Sequence, residues 1–317
     1  MDIQKTTQQK TLKQAKRRKT WQEILNDRQL YYMLVPVVIY YILFMYLPYY
    51  GLQMAFKDYR PFLGIIESPW VGWEHFVNFF TGPYAWRLIR NTFLISFYSL
   101  MISTPLTIIL ALLLNEIVNG KAKSTIQTVL YMPHFISTVV VAGLFISMLS
   151  PSSGVINIII EKLGGEKIAF LYDPKYFRTI YITMTQWQGL GYGTIIYTSA
   201  MCAIDESLYE AAEIDGAGRF RKMWHVTLPG ILPTTVTMFI MNIGKLLTVG
   251  SEAILLLYQP ITYETADVIS TFVYRYGLEQ SNYSYSTAVG LFNGIVSLVL
   301  VVGANIVSRK VSEVSLW

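Results

Sequence analysis

Apolar residues in this chain come in long runs rather than in stripes. Six runs each approach the roughly 20 predominantly apolar residues an α-helix needs to cross a bilayer. They are residues 30–51, 91–114, 125–149, 177–201, 229–250 and 287–307. The fourth is the most polar, diluted by Gln186, Gln188 and three glycines. This pattern predicts an all-α integral membrane protein with six transmembrane helices. The longest connections, about 52–90, 150–176 and 251–286, are rich in Tyr, Trp, Pro and Gly. Single aromatics there, such as Trp70 and Trp73, suit interfacial anchoring. As a set, the same loops offer a docking surface for an extracytoplasmic protein.

Composition agrees: the 317 residues are 53% hydrophobic and 14% charged, against about 25% charged in soluble domains. Charge then sets the orientation. Lys5, Lys10, Lys13, Lys16, Arg17, Arg18, Lys19 and Arg28 precede the first run, Lys121 and Lys123 follow the second, Arg219, Arg221 and Lys222 follow the fourth, and Arg309 and Lys310 follow the sixth. With six spans these segments share one side, and the positive-inside rule makes it the cytoplasm, with both termini there. Basic residues of the opposite loops (Lys57, Arg60, Arg87, Arg90, Lys175, Arg178) are diluted by Asp58, Glu67, Glu74, Glu161, Glu166 and Asp173. The net charge of +5 is therefore no nucleic-acid signature, since it sits beside hydrophobic spans.

Residues 1–29 are too long and polar for a signal-peptide n-region, and no small-residue cleavage site follows the first run, so that run reads as a retained span. The basic tail either touches anionic lipid headgroups or is simply solvated. Cys202 is the only cysteine, which excludes an intrachain disulfide, and His75, His134 and His225 have no ligand-like spacing, so no metal site is expected.

Between the fourth and fifth runs lies a polar island, Glu210-Ala211-Ala212-Glu213-Ile214-Asp215-Gly216-Ala217, followed by Leu228-Pro229. It reads as a capped helix. Ser207 to Glu210 fits a capping box with Ser207 as N-cap. Carboxylates crowd the positive end of the dipole, the two alanines let another surface approach closely, and Asp215-Gly216 supplies a stop. A second short helix through Phe220 and Trp224 is expected, with Pro229 at the start of span five. Taken singly, each feature suits an ordinary surface helix. Jointly, Glu-Ala-Ala, the following glycine and Leu-Pro at the next span resemble the EAA loop of permease subunits in binding-protein-dependent ABC importers.

The resemblance covers nearly everything after residue 30 and is closest to the maltose-type carbohydrate-uptake branch. Gly250-Ser251-Glu252, Tyr258-Gln259-Pro260, residues 268–271, residues 274–278 and the closing Ser315-Leu316-Trp317 are similar to its polysaccharide or complex-oligosaccharide subgroup. Ser251 departs from the bulky aromatic usual there. The resemblance implies a type I ABC importer permease fold in a bacterial plasma membrane. It divides the chain into a basic tail (1–29), a first helix with its outer loop (30–87), a core permease unit (88–308, coupling loop 203–228) and a short tail (309–317). It also implies a second homologous permease, a dimeric ATPase that uses ATP and Mg, and a substrate-binding lipoprotein that delivers an oligosaccharide. The ATPase would grip Ser207, Glu210, Ala211, Ala212, Asp215, Gly216, Ala217, Leu228 and Pro229. The chain has no G-x-x-x-x-G-K-[ST] loop, so no cofactor and no ATP hydrolysis are expected of it, and Gly120 to Ser124 lacks that spacing.

A sugar pathway needs hydrogen-bonding and aromatic groups inside the membrane. Gln186, Trp187, Gln188 and Tyr192 on span four, Asn242 and Lys245 on span five and Asn293 on span six are the candidates. Trp187 and Gln188 lead. Asn242 and Asn293 also fit hydrogen bonding between helices, and Lys245 faces either the pathway or the second permease. Two rival classes remain: an ion-coupled secondary transporter, which commonly shows repeated halves that are not visible here, and a membrane-embedded glycan or lipid enzyme, for which no acid, base or nucleophile cluster is evident.

Overall fold

The computed structural model describes residues 28–244, 247 and 250–312. Most of the basic tail, Lys245 and the closing Ser315-Leu316-Trp317 lie outside these residues. Within them the chain is helical, and its one extended pairing is an isolated antiparallel bridge between Lys57 and Trp70. Three helices are long and apolar enough to cross a membrane: α1 (Arg28–Phe56), α2 (Ala85–Asn115) and the carboxy-terminal α9 (Tyr283–Ser312). Two bent pairs bring the number to at most five. They are α3 (Gly120–Phe135) with α4 (Thr138–Met148), and α7 (Arg219–Gly230) with α8 (Leu232–Gly244). The remaining long helix, α5 (Pro174–Cys202), has 29 residues, enough for a hydrocarbon core of about 30 Å, although its glutamines and glycines make it less apolar. The short α6 (Glu206–Ile214) joins α5 to α7. The all-α membrane fold is as expected, and two of its apolar stretches are bent pairs rather than single helices.

Residues 125–149 are not one straight span. α3 and α4 meet at 94°. Pro133 has no N–H to extend the helix and restricts the residue before it, so the chain tightens to a 3₁₀ turn over Met132–Phe135. Ile136 is extended, and Ser137 starts α4 by accepting from the Val140 N–H. The second bend, 56°, falls at Ile231. Pro233 cannot donate to the Pro229 carbonyl four residues back, and the ladder breaks there. Span five therefore begins at Leu232, and Pro229 belongs to the elbow before it.

The most extensive helix pairing is α2 against α5. Ile95, Val141, Phe177, Tyr181, Met184, Ile254 and Leu257 form the main core at the end where α5 starts. At the end where α5 finishes, Ala111, Leu112, Tyr197, Met201 and Ile231 form a second. The apolar window of α1 is not buried by the rest of the chain at all. Only its last turns, Leu47–Phe56, pack extensively, against α9. A helix apolar on every side is stable in lipid, not in water.

α5 crosses α3 very closely at Gly191, where a Cβ would sit 2.0 Å from the Leu130 carbonyl oxygen. A small residue is what allows two membrane helices to approach this far. Gly191→Ala is expected to destabilise the folded chain by about 1–3 kcal/mol, the usual cost of overpacking. Monodisperse recovery of the solubilised protein after a heating series measures this. Wild-type recovery would show that α3 is free to shift.

Candidate functional site

α6 and α7 form a hook at the bundle end where α5 finishes and α8 begins. Asp205 is the N-cap of α6, its carboxylate accepting the Ser207 N–H at 3.0 Å. The capping box expected from Ser207 and Glu210 is thus not made, and the cap lies two residues earlier. An ionised aspartate at the positive end of a helix combines a hydrogen bond with the dipole, which a serine hydroxyl cannot. The backbone N–H of Ser207, then its hydroxyl, hold the Asp205 carboxyl below its ordinary pKa. The helix stops as expected. Gly216 has φ +73°, its N–H donates to the Glu213 carbonyl at 2.9 Å, and the Ala217 N–H donates to the Ala212 carbonyl at 2.8 Å. These are the paired bonds of a Schellman stop.

Two contacts tie α6 to α7, and a third set fastens the hook to the bundle. The Tyr209 hydroxyl lies 2.9 Å from the hydroxyl of buried Thr227. Lys222 pairs with Glu213, first through its hydrogen bond and then through its charge holding that carboxyl below the ordinary range. Ile204, Met223 and Leu228 pack on Tyr197, Met201 and Ile231. The elbow is tight, since a Cβ on Gly230 would lie 2.6 Å from Ile204 Cδ1. Before Pro229 the helix widens to a π turn over Met223–Thr227.

The hook's free surface is apolar. Leu208, Ile214, Phe220 and Trp224 are 53%, 87%, 73% and 58% exposed. Gly216, Gly218, Arg219, Phe220, Trp224 and His225 line an adjoining groove of about 800 Å³. Ser207, Glu210, Ala211 and Asp215 are exposed, and Ala212 and Ala217 half-buried. An exposed apolar patch of this kind, with basic residues at its edge, is the sort of surface that marks an interaction site.

The pathway candidates do not converge. Gln186 and Trp187 line a groove of about 610 Å³ between α2 and α5, together with Tyr98, Lys175 and Arg178. Gln188 instead donates its amide to the Ile136 carbonyl at 2.8 Å, supporting the break between α3 and α4. Tyr192 stacks on His134, with ring centroids 3.9 Å apart and planes 7° from parallel. Asn293 on α9 donates to the Leu247 carbonyl at 3.0 Å, in the turn just past α8. Asn242 is half-buried on α8, and Lys245 lies outside the described residues. Two features have little signal in the sequence. Lys175 and Arg178 read there as loop charges, whereas positions 175, 178, 179, 182, 183, 186, 187 and 190 share one face of α5. The buried Asp267, ion-paired with Arg87 at 3.2 Å and Arg275 at 2.8 Å, has no local signal at all.

The fold is a helical membrane bundle with an uncovered apolar hook at one end and a largely apolar groove between helices that carries Lys175, Arg178 and Gln186. The family model for the inner membrane component of binding-protein-dependent transport systems matches residues 103–313, and the chain belongs to that family. Its members are permease subunits, not enzymes. The chain is 44% identical over 305 residues to the polygalacturonan/rhamnogalacturonan transport system permease protein YteP of Bacillus subtilis (strain 168), covering 96% of this chain and 95% of that one. Among solved structures it is similar to a bacterial ABC transporter involved in the import of the acidic polysaccharide alginate, at 44% identity and TM-score 0.86 over 93% of this chain and 99% of the other. A second structure of a bacterial alginate ABC transporter, in complex with alginate pentasaccharide-bound periplasmic protein, matches at 43% identity, again with TM-score 0.86 over 93% and 99%.

Proposed function

We propose that this chain is the subunit through which an ATP-driven importer takes up a complex oligosaccharide or polysaccharide fragment, handed over by an extracytoplasmic binding protein. The hook carries the reading. Its stop, its elbow and its contacts with α5 make it one rigid piece with the bundle, while its outward surface is left for a partner. That partner is a dimeric cytoplasmic ATPase, which consumes ATP and Mg. A second homologous permease completes the pathway. The hook and both termini then lie in the cytoplasm of a bacterial cell, with the core permease unit over residues 88–308.

Closure of the ATPase dimer would carry α6 inward with its groove. Tyr209, Lys222 and Leu228 would pass the displacement to the elbow and on to α8. Coupling of this kind needs discrete packed arrangements biased by nucleotide, and a hook this well fastened cannot absorb the motion as slack. The saccharide reading is supported by the transport proteins the chain resembles and by Gln186, Trp187 and Tyr98, which offer an amide for hydroxyls and rings for apolar sugar faces.

Ala211 is exposed on the hook and tests the arrangement. In a Cys202→Ser background, Ala211→Cys is expected to crosslink to the ATPase and to be labelled by an impermeant thiol reagent only from the cytoplasmic side. Labelling from outside, or crosslinks that never include the ATPase, would end the proposal. Uptake that survives ATP depletion and follows an ion gradient would favour a secondary transporter instead.

A further inference from the structure

We infer that Arg178 and Lys175 read carboxylates on the transported saccharide, so that the cargo is an acidic, uronate-containing oligosaccharide. This rests on the saccharide-import reading and names its substrate class. The residues lining the α2–α5 groove include two cations and no carboxylate. Both cations stand at the end where α5 begins, Arg178 roughly 12 Å and Lys175 roughly 16 Å of helix above Gln186 at about 1.5 Å per residue. A saccharide entering from outside meets charge first, then the amide and the indole.

Arg178 is held ready. Its Nη2 donates to the Asn91 side-chain oxygen at 2.9 Å. Asn91 is fully buried, and its amide donates to the Glu264 carbonyl at 2.9 Å and the Asp267 carbonyl at 3.0 Å, which fixes its oxygen toward the arginine. The neighbouring arginines Arg87 and Arg275 share the Asp267 carboxylate. Arg178 has no carboxylate within ion-pair distance among the described residues, and its Nε is buried there without a partner. Its charged surroundings are Arg90 and Glu264, of opposite sign. Asp173, the N-cap of α5, directs its carboxylate to the Lys175 backbone N–H at 2.9 Å. A half-buried guanidinium with no carboxylate in direct ion-pair contact carries a desolvation cost. An incoming carboxylate relieves it through charge-assisted hydrogen bonds, for which the planar fork of arginine is well shaped.

The test uses the assembled importer without its binding protein, titrated with tetragalacturonate and with the same oligomer after its carboxyl groups are reduced to alcohols. The wild type is expected to bind the uronide at least roughly tenfold more tightly, the worth of one hydrogen bond to a charged group. Raising the salt concentration should narrow that gap. Arg178→Gln combined with Lys175→Gln should remove the preference, lowering affinity for the uronide far more than for the neutral oligomer, and Arg178→Lys should keep part of it. Equal wild-type affinities, or a variant that loses both ligands alike, would overturn the inference. So would separation of the two permeases in Arg178→Gln on size exclusion, since the counter-ion would then belong to the partner subunit. A wild type that transports neither oligomer, even with its binding protein restored, would take down the saccharide-import reading as well. Transport of both at equal rates, indifferent to the substitutions, would take down only the charge.

Discussion

Replacing Gly216 with valine is expected to abolish ATP-driven uptake while leaving the chain inserted at normal levels. The residue sits at φ +73°, a region in which a β-branched side chain is a genuine outlier. Nothing lies within 4 Å of the position a Cβ would take, so the failure is one of backbone, not of space. Holding valine there costs on the order of 1–3 kcal/mol. The chain escapes that cost by returning φ to negative values, which breaks the Ala217 to Ala212 hydrogen bond and swings α7 relative to α6. The apolar patch of Ile214, Phe220 and Trp224 then loses its shape, and motion of the ATPase no longer reaches the elbow. The cores on α2 and α5 are untouched, which is why insertion survives. Gly216→Asn is the informative control, because asparagine tolerates the left-handed region and should retain most of the uptake. Labelled-oligosaccharide uptake, compared at equal amounts of chain in the membrane, reads both variants. Wild-type uptake by the valine variant would show that the turn does not transmit the motion.

What the sequence made legible was whatever is written locally. The spans at α1, α2 and α9 announce themselves because a run of about 20 apolar residues has few other readings. The hook announces itself through glutamates, alanines and a glycine at a stop. The sequence is ambiguous where two local signals compete. Asp205 and Ser207 are both able caps, and the charged one wins. Pro133 and Ser137 mark the 94° break, but apolar residues continue on both sides and hide it. The groove shows a different limit. Gln186, Trp187 and Gln188 are consecutive, and successive residues on a helix point about 100° apart, so they cannot share one face. Two of them entered the groove and Gln188 turned to Ile136, a choice decided by where α3 breaks. The Arg178 to Asn91 bond joins residues 87 apart, and no periodicity within one helix encodes that.

Asp267→Asn is expected to be the most damaging single change to folding at the end of the bundle where α5 begins. Asp267 is fully buried and takes Arg87, Arg275 and the Thr271 hydroxyl on its two oxygens. It thereby ties α2 to the segment between α8 and α9. Arg275 also stacks over Tyr263, 4.6 Å from the ring centroid. Burial alone would lower that guanidinium's pKa, but the hydrogen bond and charge of Asp267 outweigh it and raise it above its ordinary value. Asparagine preserves the shape and an acceptor, yet leaves two arginines facing each other without a counter-charge. Breaking a buried pair in this way costs about 3–5 kcal/mol, a large share of what holds a domain together. The loss would appear as a collapsed monodisperse fraction after solubilisation and mild heating. The cause can be isolated, because removing all three charges removes the penalty: Asp267→Leu with Arg87→Met and Arg275→Met should recover much of the stability that Asp267→Asn loses. If the single substitution behaves like the wild type, or the triple one fares worse than the single, then the segment between α8 and α9 is held by the packing of Ile269 and Phe272 on Leu88, and the ion pairs are passengers on it.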